Sequence, residues 1–415
     1  MSKRALLIAF HFPPQAASSG IQRTLSFSRQ LGRFGWEPMV LSAHPRAYVQ
    51  QNPTQLASIP AGMVVRRAFV LDTKRHLGFR GRYSETMALP DRWVSWWFDG
   101  VLSGLRMVRR HKPQVLWSTF PIASAHLIGL TLQRLTGLPW IADFRDPMLQ
   151  PSYPVSPRQR AVYGWIERQT LRRCRYAVFT TQSALDSYKA RFPELGAGKL
   201  RLIENGYDED EFGALVGDTR PPAGPLTGRV TLLHSGVLYR NGRDPEPFIE
   251  ALAALKASGR VDAASLRVIL RAPGDISGTR AKAARHDVDD IVEVLPPVPY
   301  REALAEMLAA DALLLFQGTP FNSQIPAKIY EYFRARKPVL GLVDPAGETA
   351  TVLRKAGFDS IAATERSDLI RAALEQFIPA VRAGTAYVAS DDVIAQASRT
   401  HKAGQLAALF DEAQQ

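Results

Sequence analysis

The sequence is poor in cysteine and in long apolar segments, and each absence excludes a class of protein. Cys174 is the only cysteine among 415 residues, so no internal disulfide can form, which is typical of a reducing cytoplasm. No run of 18 or more apolar residues occurs, so no transmembrane helix is predicted. The short apolar run at residues 5–10 lacks a following small-residue cleavage site, so it predicts a first strand and not a signal peptide. We therefore expect a cytoplasmic protein.

Common cofactor and metal motifs are also missing. The chain has neither a Walker phosphate-binding loop nor the Gly-x-Gly-x-x-Gly pattern of dinucleotide-binding folds. No Asp-x-Asp pair stands at the end of a predicted strand, where it could hold a divalent ion. The sequence thus predicts no metal site and no cofactor.

Acidic residues are fewer than basic ones. The chain has 39 Asp and Glu against 52 Lys and Arg, a formal net charge of +13. Such an excess suits nucleic acid, an anionic membrane surface or a phosphorylated substrate. The basic residues are scattered, without the aromatic interleaving of single-strand binders or a zinc-finger spacing. Nucleic acid is therefore the least favoured of the three partners.

Short apolar segments alternate with amphipathic ones, a pattern that predicts parallel sheets covered by helices. Predicted strands cover residues 5–10, 38–42, 64–67, 115–118, 140–142, 176–180, 200–203, 228–234, 266–270, 291–295, 312–316 and 339–342. Predicted helices cover residues 21–34, 93–110, 123–135, 157–173, 183–191, 245–257, 301–309, 326–336, 369–382 and 391–410. The predicted fold class is α/β, with two tandem Rossmann-like, doubly wound domains facing each other across a cleft.

A stretch rich in Pro and Gly, residues 213–228, is the predicted domain boundary. Residues 1–212 and 213–390 are expected to form the two domains. Residues 391–415 are expected to form a helix that packs back toward the first domain. Ligands of open parallel sheets bind beyond the carboxyl ends of the strands, so the loops there are the places to look for a site.

The segment that follows the predicted strand at 312–316 is the strongest candidate. Asn322 or Ser323 can cap a helix, and Pro326 suits its first turn. A helix N-terminus after a parallel strand binds anions. Lys328 and Glu331 are three residues apart and share a helix face, where they suit phosphate oxygens and sugar hydroxyls respectively. An ordinary surface ion pair is the alternative.

A second candidate loop follows the first strand of the second half. Gly236 permits a tight backbone turn. Arg240 and Arg243 are within reach of diphosphate oxygens, which arginine binds with a planar fork. A solvated basic loop without a ligand is the alternative.

The first half offers a loop between its first strand and first helix. Ser19 and Gly20 allow the backbone to approach a ligand, and Arg23 adds charge in the first helical turn. The alternative is a turn that needs glycine for its conformation alone.

Two further candidates follow later strands of the first half. Asp143 and Arg145 belong to the segment Asp143-Phe-Arg-Asp-Pro147, in which a carboxylate could act as general base or orient an acceptor hydroxyl. Arg145 could equally neutralise its neighbours and brace the loop. His126 stands early in a helix, where it could contact a ligand or be a core residue.

With these motifs in view, the chain resembles the family 4 retaining glycosyltransferases of the GT-B fold, in particular bacterial enzymes that build surface polysaccharides. The motifs that carry the resemblance run in order along the chain: Phe12-Pro-Pro with Ser19-Gly20-Ile-Gln-Arg23, Phe34-Gly-Trp-Glu-Pro-Met-Val-Leu41, Asp143-Phe-Arg-Asp-Pro147, Glu204-Asn-Gly206, His234-Ser-Gly236 and Pro326-Ala-Lys328-Ile-Tyr-Glu331-Tyr. Their order and spacing together are fairly specific.

The resemblance implies a role for each matched residue. Gly20 and its loop approach the donor phosphates and the acceptor. Arg240 or Arg243 contacts the diphosphate, and Lys328 helps to hold it. Glu331 matches the second glutamate of the family's Glu-x7-Glu motif, which contacts the ribose. The first domain then serves the acceptor and the second binds the nucleotide sugar.

One position departs from the family pattern. Ser323 stands where the first glutamate of that motif contacts the donor sugar. The sugar therefore stays unidentified, although Ser323 and Asn322 could still hydrogen-bond it or the phosphates. His126 matches a region that often lies near the transferred sugar.

The resemblance implies transfer of a sugar from a nucleotide-diphosphate sugar to a polysaccharide or lipid-linked oligosaccharide, with retention and without a metal. A catalytically inactive nucleotide-sugar-binding scaffold, an epimerase of the same fold and a basic nucleic-acid-binding protein are the alternatives. The charge, together with an aromatic segment from Trp93 to Phe98, also predicts peripheral contact with an anionic membrane.

Overall fold

The computed structural model describes residues 3–16, 20–78, 83–150, 153–196, 198–213, 215 and 228–415. Its strands are β1 (Lys3–Ile8), β2 (Trp36–Ala43), β3 (Val65–Ala68), β4 (Val115–Thr119), β5 (Trp140–Arg145), β6 (Tyr176–Phe179), β7 (Leu200–Leu202), β8 (Val230–Ser235), β9 (Leu266–Arg271), β10 (Val292–Leu295), β11 (Ala312–Gln317), β12 (Val339–Val343) and β13 (Ile361–Ala362). Short 3-10 helices lie at Leu31–Phe34, Pro45–Ala47, Pro53–Ser58, Glu85–Ala88 and Thr319–Phe321.

The α-helices are α1 (Gly20–Gln30), α2 (Thr73–His76), α3 (Trp96–His111), α4 (Ala123–Thr136), α5 (Pro157–Arg173), α6 (Gln182–Arg191), α7 (Glu209–Gly213), α8 (Glu246–Ala257), α9 (Ile276–Arg285), α10 (Tyr300–Ala309), α11 (Lys328–Arg334), α12 (Glu348–Lys355), α13 (Ser367–Ala383), α14 (Asp391–Ala397) and α15 (Arg399–Glu412). Every predicted strand has a counterpart, whereas β13 and the helices α2, α7, α9 and α12 were not predicted.

The chain divides into two compact units. Unit 1 comprises Met1–Asn205 and Arg399–Gln415, and unit 2 comprises Gly206–Ser398. Unit 1 holds a parallel sheet of seven strands in the order β3-β2-β1-β4-β5-β6-β7, and unit 2 a parallel sheet of six in the order β10-β9-β8-β11-β12-β13. Both orders reverse next to the first strand, which is the doubly wound arrangement. The prediction of an α/β fold with two Rossmann-like domains is thus confirmed.

Helices cover both faces of each sheet because the strands are apolar on both sides. In unit 1, one face packs against α3, α4 and α5, and the other packs against α1 and α15. In unit 2, α8 and α13 cover one face, and α10, α11 and α12 cover the other. The site-bearing loops are therefore held between layers that are both well packed.

The predicted final helix is interrupted. Residues 391–410 were expected to be one helix, but α14 ends at Ala397 and α15 begins at Arg399. Ser398 between them is extended, with φ −73° and ψ 143°. α15 belongs to unit 1, where Phe410 packs edge-on against Trp36 with ring centroids 5.1 Å apart.

Candidate functional site

The loop after β8 and the start of α11 approach each other closely in unit 2. The ammonium of Lys328 donates a hydrogen bond to the carbonyl oxygen of Ser235 over 2.6 Å. Gly236 follows with φ +137°. A Cβ atom at this position would lie 2.3 Å from the Lys328 nitrogen. Only glycine meets both the backbone conformation and the steric requirement here, so the two predicted motifs are brought into direct contact.

Arg243 supplies a second cation to the same place. Its guanidinium donates through Nε to Oε1 of Gln317 over 2.9 Å, and it lies over the rings of Tyr239 and Phe321, 5.4 and 5.0 Å from their centroids. Its charge is close enough to lower the pKa of Lys328. Gln317 is a neutral partner, so the pair keeps a net positive charge of the kind that a diphosphate requires.

The two loop arginines differ in placement. Arg240 is exposed. Its charge helps to lower the pKa of Asp275, which lies in the loop after β9. Arg243 instead lies beside Lys328 and is held by packing. The structure therefore favours Arg243 as the inner cation, a choice that the sequence left open.

Burial tunes the charge of this centre. Burial, the largest cause, and the Arg243 charge together lower the pKa of Lys328 to about 8 against the opposite effect of Glu331. His234, at the end of β8, is 1% exposed, and its Nδ1–H donates to the carbonyl oxygen of Leu314. Burial and the nearby Lys328 charge hold the pKa of His234 well below its usual value, so this ring stays neutral.

The helix that follows is shorter than predicted. α11 spans seven residues, and its N-cap is Ala327, without a side-chain cap from Asn322 or Ser323. The backbone N–H groups of Ile329 and Tyr330 donate to the carbonyl oxygens of Pro326 and Ala327, respectively. The expected capping by Asn322 or Ser323 is therefore wrong, whereas anion binding at the start of α11 stays a prediction.

The remaining predicted residues of unit 2 lie around this centre. Asn322 donates through Nδ2 to Oδ2 of Asp344 over 2.7 Å. Ser323 is exposed. Glu331 accepts a hydrogen bond from the Tyr300 hydroxyl over 2.7 Å. The Glu331 carboxylate is thus oriented from one side and remains partly exposed.

In unit 1, Arg23 and Asp143 form a buried bidentate ion pair. Nε and Nη2 of Arg23 donate to the two carboxylate oxygens over 2.9 and 2.8 Å, and Asp143 is 0% exposed. Thr119 donates to the same carboxylate. The other Arg23 donors reach the carbonyl oxygens of Ile203 and Glu204. Arg23, predicted to contact a ligand, is fully engaged inside the protein, and Asp143 has little capacity left as a general base.

Gly20 begins α1, and its α-carbon is crowded by two polar side chains. A Cβ there would lie 2.6 Å from Nδ1 of His11 and 2.9 Å from Nη1 of Arg145. Burial and, to a smaller extent, the Arg145 charge lower the pKa of His11 to about 4. Glycine is therefore required for three groups to meet. Ser19, its predicted partner, lies outside the described residues, as does most of the predicted linker.

Arg145 is the least satisfied cation of this region. It adopts φ +60° at a shift of register in the sheet, and among the described residues its guanidinium has no hydrogen bond or ion pair. Burial lowers its pKa, while the carboxylates of Asp146 and Asp143 oppose that effect. Strained backbone and bulges of this kind concentrate at functional sites. The attraction to Asp146 and Asp143 agrees with the alternative in which Arg145 neutralises its neighbours, and contact of Arg145 with a ligand stays a prediction.

His126 lies in the core of unit 1. It is 0% exposed, and its Nδ1 shares a 2.8 Å hydrogen bond with the Ser118 hydroxyl. Nε2 is buried and has no partner in the part of the chain that the structure describes. Burial lowers the pKa of His126 to about 3 against the opposite effect of Asp143, so the imidazole is neutral.

The predicted aromatic face from Trp93 to Phe98 is wrong as a continuous surface. Trp96 is 0% exposed, because it points into the core between α3 and the sheet. Trp97 donates through Nε1 to Thr131. Phe98 alone is strongly exposed, at 69%, and Trp93 packs on Phe10 with ring centroids 4.7 Å apart.

A cluster of possible metal ligands occurs among the described residues away from the strand ends. Glu246, Glu250 and His286 bring ligand atoms within 4.8 Å of one another. Glu246 is already paired with Lys282 over 3.0 Å and with Arg285.

No described helix is long and apolar enough to cross a membrane.

Two residues of the site, His11 and Gln317, were not assigned a role from the sequence, whereas Asp146 belongs to a segment that was. His11 and Asp146 flank Arg145, and Gln317 holds Arg243. Gln317 could have been noticed as a polar residue that ends an otherwise apolar strand. Nothing in the local sequence links it to a residue 74 positions away.

Comparisons with known proteins agree with this architecture. Residues 19–206, a little under half of the chain, match the family model described as "Glycosyl transferase 4-like domain". Among curated proteins, none matches the chain in sequence.

Solved structures match over nearly the whole chain at low identity. Anabaena HepE, determined in complex with UDP, has a TM-score of 0.65 at 12% identity, with 99% of this chain and 100% of that chain covered. WaaG, a glycosyltransferase involved in lipopolysaccharide biosynthesis, has a TM-score of 0.58 at 15% identity, with 98% and 99% covered. UDP-GlcNAc 2-epimerase from Methanocaldococcus jannaschii has a TM-score of 0.55 at 10% identity, with 99% of each covered. The chain therefore has the GT-B fold, and its residues 19–206 are similar to the glycosyl transferase 4-like domain.

Proposed function

We propose that the protein is a glycosyltransferase that moves a sugar from a nucleotide-diphosphate sugar to a polysaccharide or lipid-linked oligosaccharide. The observation that carries this proposal is the convergence of Lys328 and Arg243 beside Gly236, at the carboxyl edge of the unit 2 sheet. The match of residues 19–206 and the UDP complex of a structural neighbour support it.

The chemistry rests on stabilising a diphosphate leaving group. As the bond between the anomeric carbon and the phosphate oxygen breaks, negative charge grows on that oxygen, and fixed cations stabilise it without a metal. The acceptor oxygen attacks from the face that the leaving group vacates, which retains configuration. The acceptor proton passes to the leaving phosphate. Lys328 and Arg243 supply the charge, and Glu331 holds the ribose.

Unit 1 is proposed to serve the acceptor. Arg145 offers a guanidinium without a described partner beside Gly20 and is the proposed contact for an anionic group of a substrate. Asp143 acts by positioning, because it fixes Arg23 and the loop that carries Arg145. His126 is neutral and 0% exposed, so its proposed role near the transferred sugar is indirect, through its hydrogen bond to Ser118.

A thermal-shift screen with UDP, GDP, ADP and dTDP tests the donor site. A nucleotide at about 100 times its dissociation constant stabilises the fold by about 2.7 kcal/mol. The same protein with the matching nucleotide sugar, followed by NMR, reports transfer or hydrolysis with retention. Binding without any turnover would favour the inactive scaffold, and interconversion of free nucleotide sugars would favour an epimerase.

Metal independence is tested in the same assay. Activity is expected to survive EDTA, since protein cations replace the metal. Loss of activity on chelation that magnesium or manganese restores would contradict this part of the proposal.

We further propose that the protein acts in the cytoplasm at the inner face of the plasma membrane, as a builder of surface polysaccharide. The outer side of α3 exposes Phe98 at 69% and Leu102 at 48%. Arg109, Arg110 and Lys112 are exposed at its C-terminal end. Each basic residue near an anionic surface contributes about 1 kcal/mol, and such a mixed apolar and basic face suits the membrane interface.

Co-sedimentation with phosphatidylglycerol vesicles tests this surface. The wild type should pellet at low salt and not with neutral phosphatidylcholine vesicles, and replacing Arg109, Arg110 and Lys112 by Ser should reduce pelleting. The matched control replaces Arg260, Lys355 and Arg371, three exposed cations of unit 2. Equal loss in both variants would show that net charge acts without this face.

A further inference from the structure

A cavity lies within unit 1. It has a volume of about 300 Å³, and its walls come from the segment before α3, the loop after β4 and the segment that leads into α5. These segments follow β3, β4 and β5, so the cavity lies at the carboxyl edge of the sheet, where parallel sheets bind ligands. Every residue used below is among those that the structure describes.

Aromatic rings form much of the wall. Four aromatic residues line the cavity: Tyr83 and Tyr153, which are 39% and 44% exposed, together with Trp93 and Tyr163. The Tyr153 and Tyr163 hydroxyls lie 3.4 Å apart. Flat, amphipathic rings of this kind pack against the C–H faces of a sugar ring while their polar atoms remain available at the edges.

Polar groups converge on the same space. Nε1–H of Trp93 and Nε–H of Arg92 are buried and have no hydrogen-bond partner in the part of the chain that the structure describes. Gln159 donates through Nε2 to the carbonyl oxygen of Pro90, which leaves its amide oxygen as an acceptor toward the cavity. The two buried donors are closed to a ligand, whereas the Gln159 amide oxygen can accept a hydrogen bond from a sugar hydroxyl.

The cavity is rigid because a buried carboxylate anchors its wall. Asp91 accepts hydrogen bonds from the backbone N–H and the hydroxyl of Ser124, at the start of α4, and from the backbone N–H of Trp93. The backbone of Trp93 is thereby tied to the start of α4, and its ring packs on Phe10. Few groups of this wall need to be ordered when a ligand binds, which lowers the cost of binding.

The charge of the lining distinguishes among ligand classes. Arg92, the one cation among the described lining residues, is paired with the buried Asp72 and stacks on Trp93, and Glu85 and Asp91 add negative charge. A phosphate is therefore disfavoured, and the polar groups disfavour an alkyl chain. We propose that this cavity binds a sugar ring of the carbohydrate acceptor, an inference that rests on the proposed function and names the part of the acceptor that unit 1 recognises.

The test is saturation-transfer NMR on the full chain with methyl glycosides of glucose, galactose, mannose and glucuronic acid. At least one glycoside should bind to the wild type. Tyr153→Leu should weaken that binding by about three- to tenfold, since a ring contact of this kind is worth about one factor of ten at most. Trp93→Leu, which removes another ring of the wall, should weaken it as well.

Two controls separate this inference from the donor site. Trp165→Leu removes an aromatic ring that is 44% exposed on α5 but does not line the cavity, and it should leave glycoside binding unchanged. UDP binding, measured on each variant, should also be unchanged. A wild type that binds UDP but no glycoside, or a Tyr153→Leu variant that binds as well as the wild type, would overturn the inference and leave the proposed function standing. Absence of binding to any nucleotide would overturn the proposed function itself.

Discussion

Replacing Gly236 by Ala tests the link between backbone geometry and donor binding. The new Cβ would stand 2.3 Å from the Lys328 nitrogen, whereas ordinary contacts lie at 3.4–4 Å. The ammonium must therefore retreat by about 1 Å and leave the 2.6 Å hydrogen bond to Ser235. Because this atom ends a flexible side chain, the retreat itself costs little stability, and the loss falls on the binding site.

Two separate effects have different magnitudes. The φ of +137° is unfavourable for alanine, and a strained residue of this kind costs about 1–3 kcal/mol of folding free energy. Displacement of Lys328 removes a contact with a charged partner, worth about 1.5–3 kcal/mol, which corresponds to roughly a ten- to hundredfold loss of nucleotide affinity.

The assay combines thermal unfolding with calorimetric titration of UDP or whichever nucleotide stabilises the protein most. The matched control is Gly259→Ala, because Gly259 has φ +69° with open space around it. It should lower stability in the same way and leave affinity unchanged. In the double variant Gly236→Ala with Lys328→Ala, the second change should add almost no further loss of affinity, since both changes remove the same ammonium. Wild-type affinity in Gly236→Ala would refute the placement of the phosphate beside Lys328.

Three further outcomes follow from the same contacts. Nucleotide affinity should fall as the pH rises through about 8, where Lys328 loses its proton, and Lys328→Met should flatten that profile. Because the folded-state pKa lies below that of the unfolded chain, the unfolded chain holds more protons between the two values, and the free energy of unfolding should rise with pH there. Arg23→Ala should destabilise unit 1 by about 3–5 kcal/mol in urea unfolding, since it leaves the Asp143 carboxylate buried and unpaired; a small change would contradict the structural role of the pair. Glu331→Ala should weaken nucleotide binding roughly ten- to hundredfold without unfolding the protein, whereas Tyr300→Phe should have a smaller effect, since it removes only a positioning contact.

The local sequence pattern by itself predicted where the strands and most of the helices lie along the chain. Buried parallel strands are short apolar runs, and the helices between them show a helical apolar period, so both are visible without any knowledge of contacts. The same holds for Gly236 and Lys328, which stand at strand ends or at a helix start, where a parallel sheet places its ligands.

The tertiary structure decided which charged residues remain available to a ligand. In the sequence, Arg23 and Arg145 look equally suited to binding a ligand. In the structure, Arg23 is paired with Asp143, 120 positions away, whereas the Arg145 guanidinium has no hydrogen bond to a described residue. Arg243 was distinguished from Arg240 by its hydrogen bond to Gln317, the last residue of β11. The partner of a side chain is chosen by packing between distant segments, and a local pattern carries no record of that choice. The sequence did not predict the cavity beside Trp93 for the same reason, since its walls come from three segments that are far apart in the sequence.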